Sequence, residues 1–311
     1  MPMPTRPLGS TALQVTPLGL GTAPLGHLYV PISDEQAAAT VQAALAAGVR
    51  LFDTAPLYGG GLAERRLGAA LRGVPRERYV VSSKVGRLID EGGRVVPAYS
   101  RDGVLRSIEA SLRRLGIDRL DVVHIHDPDE HYREALEQMF PVLADLRGQG
   151  VIGAVGAGMN RWEMLAEFAR HADFDCFLLA GRYTILEHAA AKFLADCRDR
   201  GVGIFLGGAF NSGILATGAV PGAKYNYSDA SAAVLARVRR IEAVCARHGV
   251  PLRRAALRFC LANPAVTAVV AGAASPAELA DHVGSLDAAV PADLWSDLRA
   301  EGLLDAGVPV P

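Results

Sequence analysis

Short apolar segments alternate with longer segments of helical periodicity along almost the whole chain of 311 residues, and this alternation limits the possible folds most strongly. The apolar segments are rich in Val, Ile and Leu, which is typical of strands that are buried on both faces. Strands separated by helices of about 10–15 residues pair in parallel through right-handed crossovers. An α/β fold with a parallel sheet is therefore expected.

Eight strand–helix pairs follow one another without interruption, which favours a closed barrel over an open sheet. We predict a (β/α)8 TIM barrel that forms a single domain over residues 1–311. The first predicted helix begins with a capping-box pattern, Ser33 followed by Gln36. The predicted strands cover residues 16–21, 49–53, 79–84, 120–126, 152–157, 176–179, 202–206 and 267–270, and the predicted helices cover residues 33–47, 62–71, 101–115, 131–147, 161 onward, 187–200, 231–247, 251–261 and 276–283.

Two glycine-rich stretches raise an open dinucleotide-binding sheet as the structural alternative. They follow the first predicted strand, at residues 19–26, and the fifth, at residues 153–158. The fingerprint of that fold is G-x-G-x-x-G at a strand-to-helix turn, with an acidic residue about 20 positions later. Neither stretch has this spacing, and Pro24 interrupts the first one, so we assign these glycines to turns.

The charge balance excludes several classes of partner. The chain has 32 basic and 33 acidic residues, without the basic surface expected of a nucleic-acid or membrane-surface binder. Its four cysteines are widely spaced and have no neighbouring histidines in a metal-binding pattern, so we predict reduced, mostly buried thiols and no metal site. Neither a secretory signal nor an apolar span of about 18 residues is predicted. We expect a cytoplasmic protein that acts on a small molecule.

Polar side chains end three neighbouring predicted strands. Asp53 ends the second strand, Lys84 the third and His126 the fourth, while Tyr58 lies on the loop after the second. In a barrel, catalytic side chains come from the C-terminal ends of the strands, so these four residues are expected to meet in one mouth. Lys84 is one of three lysines among 32 basic residues, which indicates that a compact ammonium group is required at this position.

This set of residues is typical of proton transfer coupled to hydride transfer at a carbonyl or carbinol carbon. The ammonium group of Lys84 is expected to lower the pKa of Tyr58. Asp53 would hold Lys84 charged and oriented, and His126 would hydrogen-bond the substrate oxygen. No Ser or Cys with an activating partner accompanies the set, which disfavours a nucleophilic role. His124 faces the same side of its strand as His126, and we predict that it fills the barrel interior.

Five sequence motifs occur in order along the chain. They are F-D-T-A-P-x-Y-G from Phe52, S-S-K ending at Lys84, S-L-R-R-L-G-I-D from Ser111, L-D-V-V-H-I-H-D-P from Leu120 and V-A-G-A from Val270. In this order and spacing they resemble the aldo-keto reductase superfamily, and the resemblance covers nearly the whole chain. It implies a (β/α)8 barrel that binds a nicotinamide cofactor without a Rossmann sheet.

The resemblance also implies roles for individual residues. Asp53, Tyr58, Lys84 and His126 match the catalytic tetrad of the superfamily one for one. Asn160 is the candidate for binding the nicotinamide carboxamide. The full set of expected cofactor-binding residues is Gly21, Thr22, Asp53, Asn160, Gly207, Gly208, Phe210, Ser212, Gly213, Leu215, Gly272, Ala273, Ala274 and Glu278.

Some departures from the common superfamily pattern resemble its sugar-oxidising members. Asp127 follows His126 where W-P is usual, and G-G-A-F-N-S-G-I-L begins at Gly207, where many relatives have an aromatic residue. These variants are similar to those of D-threo-aldose 1-dehydrogenases, also called L-fucose or L-galactose dehydrogenases, with pyridoxal 4-dehydrogenase as a near relative. The resemblance thus implies oxidation of an L-fucose, L-galactose or D-arabinose type of aldose at C1 to the lactone. Side chains expected to bind the sugar are His27, Tyr29, Tyr58, His126 and Asp127.

The expected cofactor is NAD, with NADP less favoured. Superfamily members that prefer NADP have cations after the eighth strand, whereas residues 271–278 carry no cation here and end at Glu278, which would repel a 2′-phosphate. Alternatives are a pyridoxal 4-dehydrogenase or a general aldehyde or ketone reductase of the same superfamily. A different class is a cofactor-binding sensor module without significant turnover, which the intact tetrad disfavours.

Overall fold

The structure is a computed structural model, and it describes residues 3–28, 30–90 and 92–311. Eight parallel strands within these residues close into a barrel in chain order, and the last strand pairs with the first. This arrangement confirms the predicted (β/α)8 barrel. Its strands are β1 (Leu18–Gly21), β2 (Leu51–Asp53), β3 (Val80–Val85), β4 (Leu120–His126), β5 (Ile152–Met159), β6 (Cys176–Ala180), β7 (Gly203–Gly207) and β8 (Val266–Gly272).

Helices surround the barrel and connect consecutive strands. The sequence predicts Gly116 as the C-terminal cap of the helix over residues 101–115, and this is confirmed, since Gly116 ends that helix with a φ of 65°. At its N-terminus, the Ser100 side chain accepts a hydrogen bond from the Gly103 amide. Longer helices are α1 (Asp34–Ala46), α2 (Leu62–Leu71), α3 (Arg101–Leu115), α4 (Phe140–Gly148), α5 (Trp162–His171), α6 (Ala191–Asp199), α7 (Ala232–Arg247), α8 (Leu252–Ala262), α9 (Pro276–Asp287) and α10 (Ala292–Ala300).

Two expected helical features are different in the structure. The continuous helix predicted over residues 131–147 contains a π-helical turn, Ala135–Met139, directly before α4. The capping box of α1 is only half formed, because Ser33 accepts from the Gln36 amide but the Gln36 side chain donates to the Ala274 carbonyl at 2.9 Å. That long-range bond joins α1 to the segment after β8.

Three small hairpins supplement the barrel. One pairs Arg6–Pro7 with Gln14–Val15 and places the buried Leu8 against the barrel interior. The sequence predicts long loops over the site at residues 88–99 and 217–228. Each contains a hairpin, one in which Arg87–Ile89 pairs with Val95–Pro97 and one in which Lys224–Tyr225 pairs with Ser228–Asp229. Because these two follow β3 and β7, they rise from the C-terminal ends of the strands, where a barrel places its site.

Apolar side chains form two layers of core. A small cluster fills the barrel interior and includes Leu51, Val122 and Phe205. A larger cluster lies mostly between the outward-facing strand residues and the surrounding helices. All four cysteines are free and buried, as predicted. Within the described part of the chain, no helix is both long and apolar enough to cross a membrane.

Candidate active site

The four residues expected in one mouth lie close together at the C-terminal end of the barrel. Lys84 is 2 % exposed and donates to Asp53 Oδ2 at 2.7 Å and to the Thr54 carbonyl at 2.8 Å. Its Nζ lies 4.8 Å from the centre of the Tyr58 ring. The His126 ring stands perpendicular to that of Tyr58, with 6.2 Å between the centres. The parallel register explains this grouping, since β2, β3 and β4 are consecutive neighbours.

Burial and charge set the protonation states of this group. Burial opposes the charge of Lys84, but the adjacent Asp53 carboxylate more than compensates and raises the pKa of Lys84 above its ordinary value. For His126, burial and the nearby Lys84 charge hold the pKa well below its usual range, so the imidazole is neutral at pH 7. A cationic Lys84 therefore faces a neutral histidine.

The expected direction for Tyr58 needs a correction. Its pKa is raised above 10, because burial of the phenol outweighs the lowering effect of the Lys84 ammonium group. Lys84 does stabilise the phenolate, as predicted from the sequence, but the Asp53 carboxylate and the loss of water act in the opposite direction. Tyr58 is thus protonated at neutral pH and suited to give a proton.

Asp127 is held in an unusual backbone conformation beside His126. Its φ of 40° lies in the left-handed region that non-glycine residues seldom adopt. Three hydrogen bonds fix it: its amide donates to the Gly158 carbonyl at 3.0 Å, and its own carbonyl accepts from Arg87 and from Tyr99. The carboxylate is thereby directed to within 3.6 Å of His126 Nε2.

A cavity of about 510 Å³ opens above these side chains. Its lining includes Lys84, Tyr58 and His126 together with the apolar Leu28 and Leu178. The structure therefore places most of the expected substrate residues in one pocket, while Tyr29 lies outside the described residues. The pocket lining includes the candidates His27, Tyr58, His126 and Asp127, and it also includes Asn160.

A groove of about 450 Å³ shares one wall with this pocket, formed by Ala23, Leu28, Tyr58, Leu178, Ala180 and Tyr227. It runs past the C-terminal ends of β1, β7 and β8. Ten of the fourteen expected cofactor residues line it, namely Gly21, Asp53, Gly207, Gly208, Phe210, Ser212, Gly213, Gly272, Ala274 and Glu278.

The other four expected cofactor residues lie elsewhere. Thr22, Leu215 and Ala273 are buried and outside the lining of both cavities, because their side chains point into the protein. Asn160 lies in the substrate-side pocket and not in the groove. Thr22, Leu215 and Ala273 could contact a cofactor in the groove only through backbone atoms. Asn160 could contact one only where the groove and the pocket meet.

The groove fits an elongated anionic cofactor on two observations. Asn211, Ser212 and Gly213 all have positive φ angles, and the Ser212 amide donates to no other described residue, so it is available to an anion. The amides of Asn211 and Gly213 are already used, since they donate to the carbonyls of Gly208 and Phe210. A Cβ on Gly213 would meet no atom within 4 Å, so at that position the backbone faces open space. The groove ends at Tyr58, where a reactive ring could meet the substrate pocket.

At the far end of the groove, Glu278 and Arg253 set the local charge. Ser275 caps α9 by accepting from the Glu278 amide, and Glu278 Oε2 accepts at 2.9 Å from the amide of Ala274, the residue before this cap. Sequence reasoning missed Arg253, which reaches this wall from α8 and forms an ion pair with Asp281. Only helix packing brings Arg253 here, so no local motif signals it.

Tyr227 is a second residue that sequence reasoning missed. It lies at the tip of the hairpin after β7, lines both cavities, and its amide donates to Ser212 Oγ at 3.0 Å. Asn226 and Tyr227 both have left-handed backbone angles, which the turn of a two-residue hairpin requires. The only sequence signal for Tyr227 was the long loop predicted over the site at residues 217–228.

Comparisons with known proteins identify relatives that align along nearly the whole chain. A pyridoxal 4-dehydrogenase from Microbacterium luteolum is 39 % identical, over 96 % of this chain and 97 % of that protein. A D-threo-aldose 1-dehydrogenase from a Pseudomonas species is 38 % identical, over 96 % of this chain and 98 % of its own length. Among solved structures, an aldo-keto reductase from Bacillus halodurans in its holo form superposes with a TM-score of 0.82 at 26 % identity, covering 98 % of both chains.

The family model of the aldo/keto reductases matches residues 17–301, which contain all eight barrel strands and both cavities. Aldo-keto reductases use nicotinamide cofactors, in keeping with the groove beside Tyr58. On this match, and on two relatives that are aligned over nearly their full lengths, the chain belongs to the aldo/keto reductase family.

Proposed function

We propose that this protein is an NAD-dependent dehydrogenase that oxidises the C1 carbon of a cyclic aldose to the lactone. The observation that carries the proposal is the position of Tyr58. Its ring lies 4.8 Å from the buried ammonium group of Lys84 and forms part of the wall between the groove and the substrate-side pocket. A proton acceptor at that boundary reaches a substrate whose carbon faces the cofactor.

The proposed reaction balances as a two-electron oxidation. The C1–H bond of the hemiacetal breaks and its electron pair leaves as hydride to the cofactor, while the C1 hydroxyl proton goes to the oxygen of Tyr58. Lys84 stabilises the phenolate that must accept this proton, and Asp53 keeps Lys84 in place. The neutral imidazole of His126 hydrogen-bonds the C1 oxygen as it becomes a carbonyl.

The nicotinamide cofactor supplies the hydride acceptor when it is bound. The Ser212 amide, which donates to no other described residue, would donate to one of its phosphates. Glu278 favours NAD, because its carboxylate repels a 2′-phosphate and its Oε1, which makes no hydrogen bond to another described residue, is available to a ribose hydroxyl. Asp281 balances the positive charge of Arg253. The Glu278 carboxylate therefore leaves this end of the groove with a net negative charge.

The pocket chemistry supports a polyhydroxylated substrate. The Asp127 carboxylate, 31 % exposed, can accept hydrogen bonds from sugar hydroxyl groups, and His27 and Asn160 offer further polar atoms. The relative that is 38 % identical carries the name of an aldose dehydrogenase. A flat apolar aldehyde would leave these polar groups unpaired, at a cost of about 1–3 kcal/mol each.

Pyridoxal is the second candidate substrate, because the 39 % identical relative is named a pyridoxal 4-dehydrogenase. Its aldehyde closes onto the neighbouring hydroxymethyl group, so its reacting carbon is also a cyclic hemiacetal carbon. Leu28 and Leu178 on the apolar wall of the pocket could contact its ring. The same proton and hydride transfers would then apply.

The test is a substrate panel with the purified protein. L-fucose, L-galactose, D-arabinose and pyridoxal are incubated with NAD, and reduced-cofactor absorbance and lactone mass are followed. Apolar aldehydes are incubated with reduced cofactor to measure the opposite reaction, reduction of the aldehyde. We expect the highest kcat/KM with one of the three sugars. Higher efficiency with pyridoxal would select the second candidate, faster turnover of apolar aldehydes would contradict both, and tight cofactor binding without any turnover would indicate a sensor module.

A further inference from the structure

A line of polar side chains continues from the Asp53 carboxylate into the barrel interior. Ser82 donates to Asp53 Oδ1 at 2.9 Å, and Ser82 Oγ lies 3.4 Å from His124 Nδ1. On the other side of the imidazole, Nε2 lies 3.8 Å from Cys176 Sγ. Ser82, His124 and Cys176 are fully buried. The line thus joins β2, β3, β4 and β6 beneath the candidate active site.

Donor and acceptor counting assigns a direction to this line. As the partner of the Lys84 ammonium group, the Asp53 carboxylate only accepts, so the single Ser82 proton is directed to it. A hydrogen bond between Ser82 Oγ and His124 therefore requires the proton on Nδ1. Burial lowers the pKa of His124 to about 3, so the ring is neutral and Nε2 is an acceptor. Burial also holds the pKa of Cys176 well above its usual range, which leaves S–H as the donor.

The neighbouring strand makes room for the imidazole. A Cβ on Gly156 of β5 would lie 2.7 Å from His124 Cδ2 and 2.9 Å from Nε2, which is closer than side chains tolerate. Phe205 of β7 lies against the ring, with 5.9 Å between the ring centres. Most other residues that fill the barrel interior are aliphatic, so filling space at position 124 does not require a polar ring. Its hydrogen bonds distinguish it from an ordinary core residue.

We propose that His124 is a positioning residue that acts through Ser82 and Asp53 to hold the Lys84 ammonium group against Tyr58. Donation from Nδ1 to Ser82 Oγ strengthens the donation from Ser82 to the carboxylate, because hydrogen bonds in series polarise one another. The carboxylate is then fixed through both oxygens, Oδ1 by Ser82 and Oδ2 by Lys84. The proposal rests on the proposed function, in which Tyr58 exchanges the proton.

The charge that reaches Tyr58 depends on this arrangement. The groups that face its hydroxyl and ring are Lys84, Asp53, His126 and Tyr227, and Lys84 is the only cation among those described. A Lys84 that loses its fixed carboxylate partner stabilises the phenolate less. The pKa of Tyr58 is therefore expected to rise when the line is interrupted at His124.

Two substitutions at one position separate polarity from packing. In His124→Asn the side-chain amide can donate to Ser82 from about the place of Nδ1, whereas His124→Leu fills similar space without a donor. Each is made in the full chain and, in parallel, together with Tyr58→Phe. Difference ultraviolet titration of each pair then reports the pKa of Tyr58 without any turnover. Ser82→Ala, which removes the middle of the line, provides an independent interruption if His124→Leu fails to fold.

We expect His124→Leu and Ser82→Ala to raise the pKa of Tyr58 and to lower kcat about fivefold, the effect of one net hydrogen bond, with KM and cofactor affinity unchanged. His124→Asn should restore both values. Equal pKa values for Tyr58 in the Leu and Asn variants, or equal loss of kcat in both, would overturn the positioning role. If the pKa of Tyr58 shifts as expected while no variant, nor the unmodified protein, oxidises any substrate of the panel, the proposed function fails and the positioning role stands.

Discussion

Lys84 is placed by two acceptors that leave little freedom for its ammonium group. Nζ donates to Asp53 and to the Thr54 carbonyl, and the side chain is almost fully buried. An ammonium group is compact, whereas a guanidinium is planar, larger and fork-shaped. The position therefore favours lysine over arginine, although the two side chains carry the same charge. The chain uses arginine at most other basic positions, so a lysine here already indicates this preference.

Lys84→Arg is expected to be severely impaired even though the charge is kept. The guanidinium cannot occupy the same space without displacing Asp53 or Tyr58, so the loss should appear in kcat, by about 10²-fold. Steady-state kinetics with the best sugar of the panel measures it. Replacement of an exposed lysine, Lys192→Arg, is the matched control and should leave kcat unchanged. An active Lys84→Arg enzyme would mean that charge alone is sufficient.

The raised pKa of Tyr58 predicts opposite pH profiles for the two reaction directions. Oxidation needs the phenolate, which is scarce below the pKa of the buried phenol, so kcat for oxidation should increase between about pH 7 and about pH 9. Reduction needs the phenol and should stay constant over this interval, then decrease at higher pH. A rate of oxidation that falls as the pH rises through this interval would contradict the role of Tyr58.

Glu278 predicts the cofactor preference. We expect NAD to exceed NADP by at least tenfold in kcat/KM, which corresponds to about 1.4 kcal/mol. Glu278→Arg should move the preference toward NADP, because a second cation would then stand beside Arg253. Glu278→Gln keeps an acceptor for the Ala274 amide and serves as the control for lost capping. Equal efficiency with both cofactors, or a preference that does not move in Glu278→Arg, would exclude this carboxylate as the discriminating group.

At the scale of elements, α2 anchors the loop that forms one wall of both cavities. Arg66 on this helix is buried and donates to the carbonyls of Leu25 and Ile32, and it pairs with Asp34 at 2.7 Å. These bonds hold Leu25 and Ile32, which lie on either side of the pocket residue His27 along the chain. A helix that is remote from the chemistry thereby shapes the mouth of the site.

Arg66→Ala is expected to destabilise this loop. Two buried carbonyl groups would lose their donors, which lowers the free energy of unfolding by about 2 kcal/mol and raises KM more than it lowers kcat. Urea denaturation and steady-state kinetics measure the two effects. Arg65→Ala is the matched control, because that neighbouring side chain is exposed and makes no hydrogen bond or ion pair with another described residue. Equal effects in both variants would exclude a specific role for Arg66.

Most elements could be predicted because their signals are local. The bounds predicted for α3, residues 101–115, match the structure, and Gly116 is the local signal for its C-terminal end. The Gln36 side chain was different: its nearest partner along the chain was Ser33, but it binds Ala274, a contact that exists only after the barrel has closed. Likewise, no residue pattern predicted the π-helical turn before α4, since it depends on packing.

At the scale of the whole molecule, the closed barrel explains why the site was more predictable than its surroundings. Strand order alone brings the ends of β2, β3 and β4 together, and so Asp53, Lys84 and His126 follow from counting strands. The groove is assembled from β1, β7, β8 and side chains of distant helices. Arg253 and Tyr227 reach it through tertiary packing, which sequence patterns do not record.

The same topology gives the two cavities their common wall. Because the groove and the pocket meet at Tyr58, the proposed function would place a hydride acceptor in one cavity and a hemiacetal carbon in the other within reach of one proton-transfer residue. The proposed reaction would then combine proton and hydride transfer in a single step of chemistry. It requires the transferred hydrogen to pass directly from carbon to cofactor.

Transfer of an isotope label tests this requirement most directly. The best sugar of the panel, carrying deuterium at C1, is incubated with NAD, and the mass of the reduced cofactor is measured for the unmodified protein and for Tyr58→Phe. We predict that the reduced cofactor carries the deuterium, that the sugar is recovered as its lactone, and that Tyr58→Phe binds NAD normally but reacts at least ~10²-fold more slowly. Reduced cofactor without deuterium, or a Tyr58→Phe rate near that of the unmodified protein, would contradict the account.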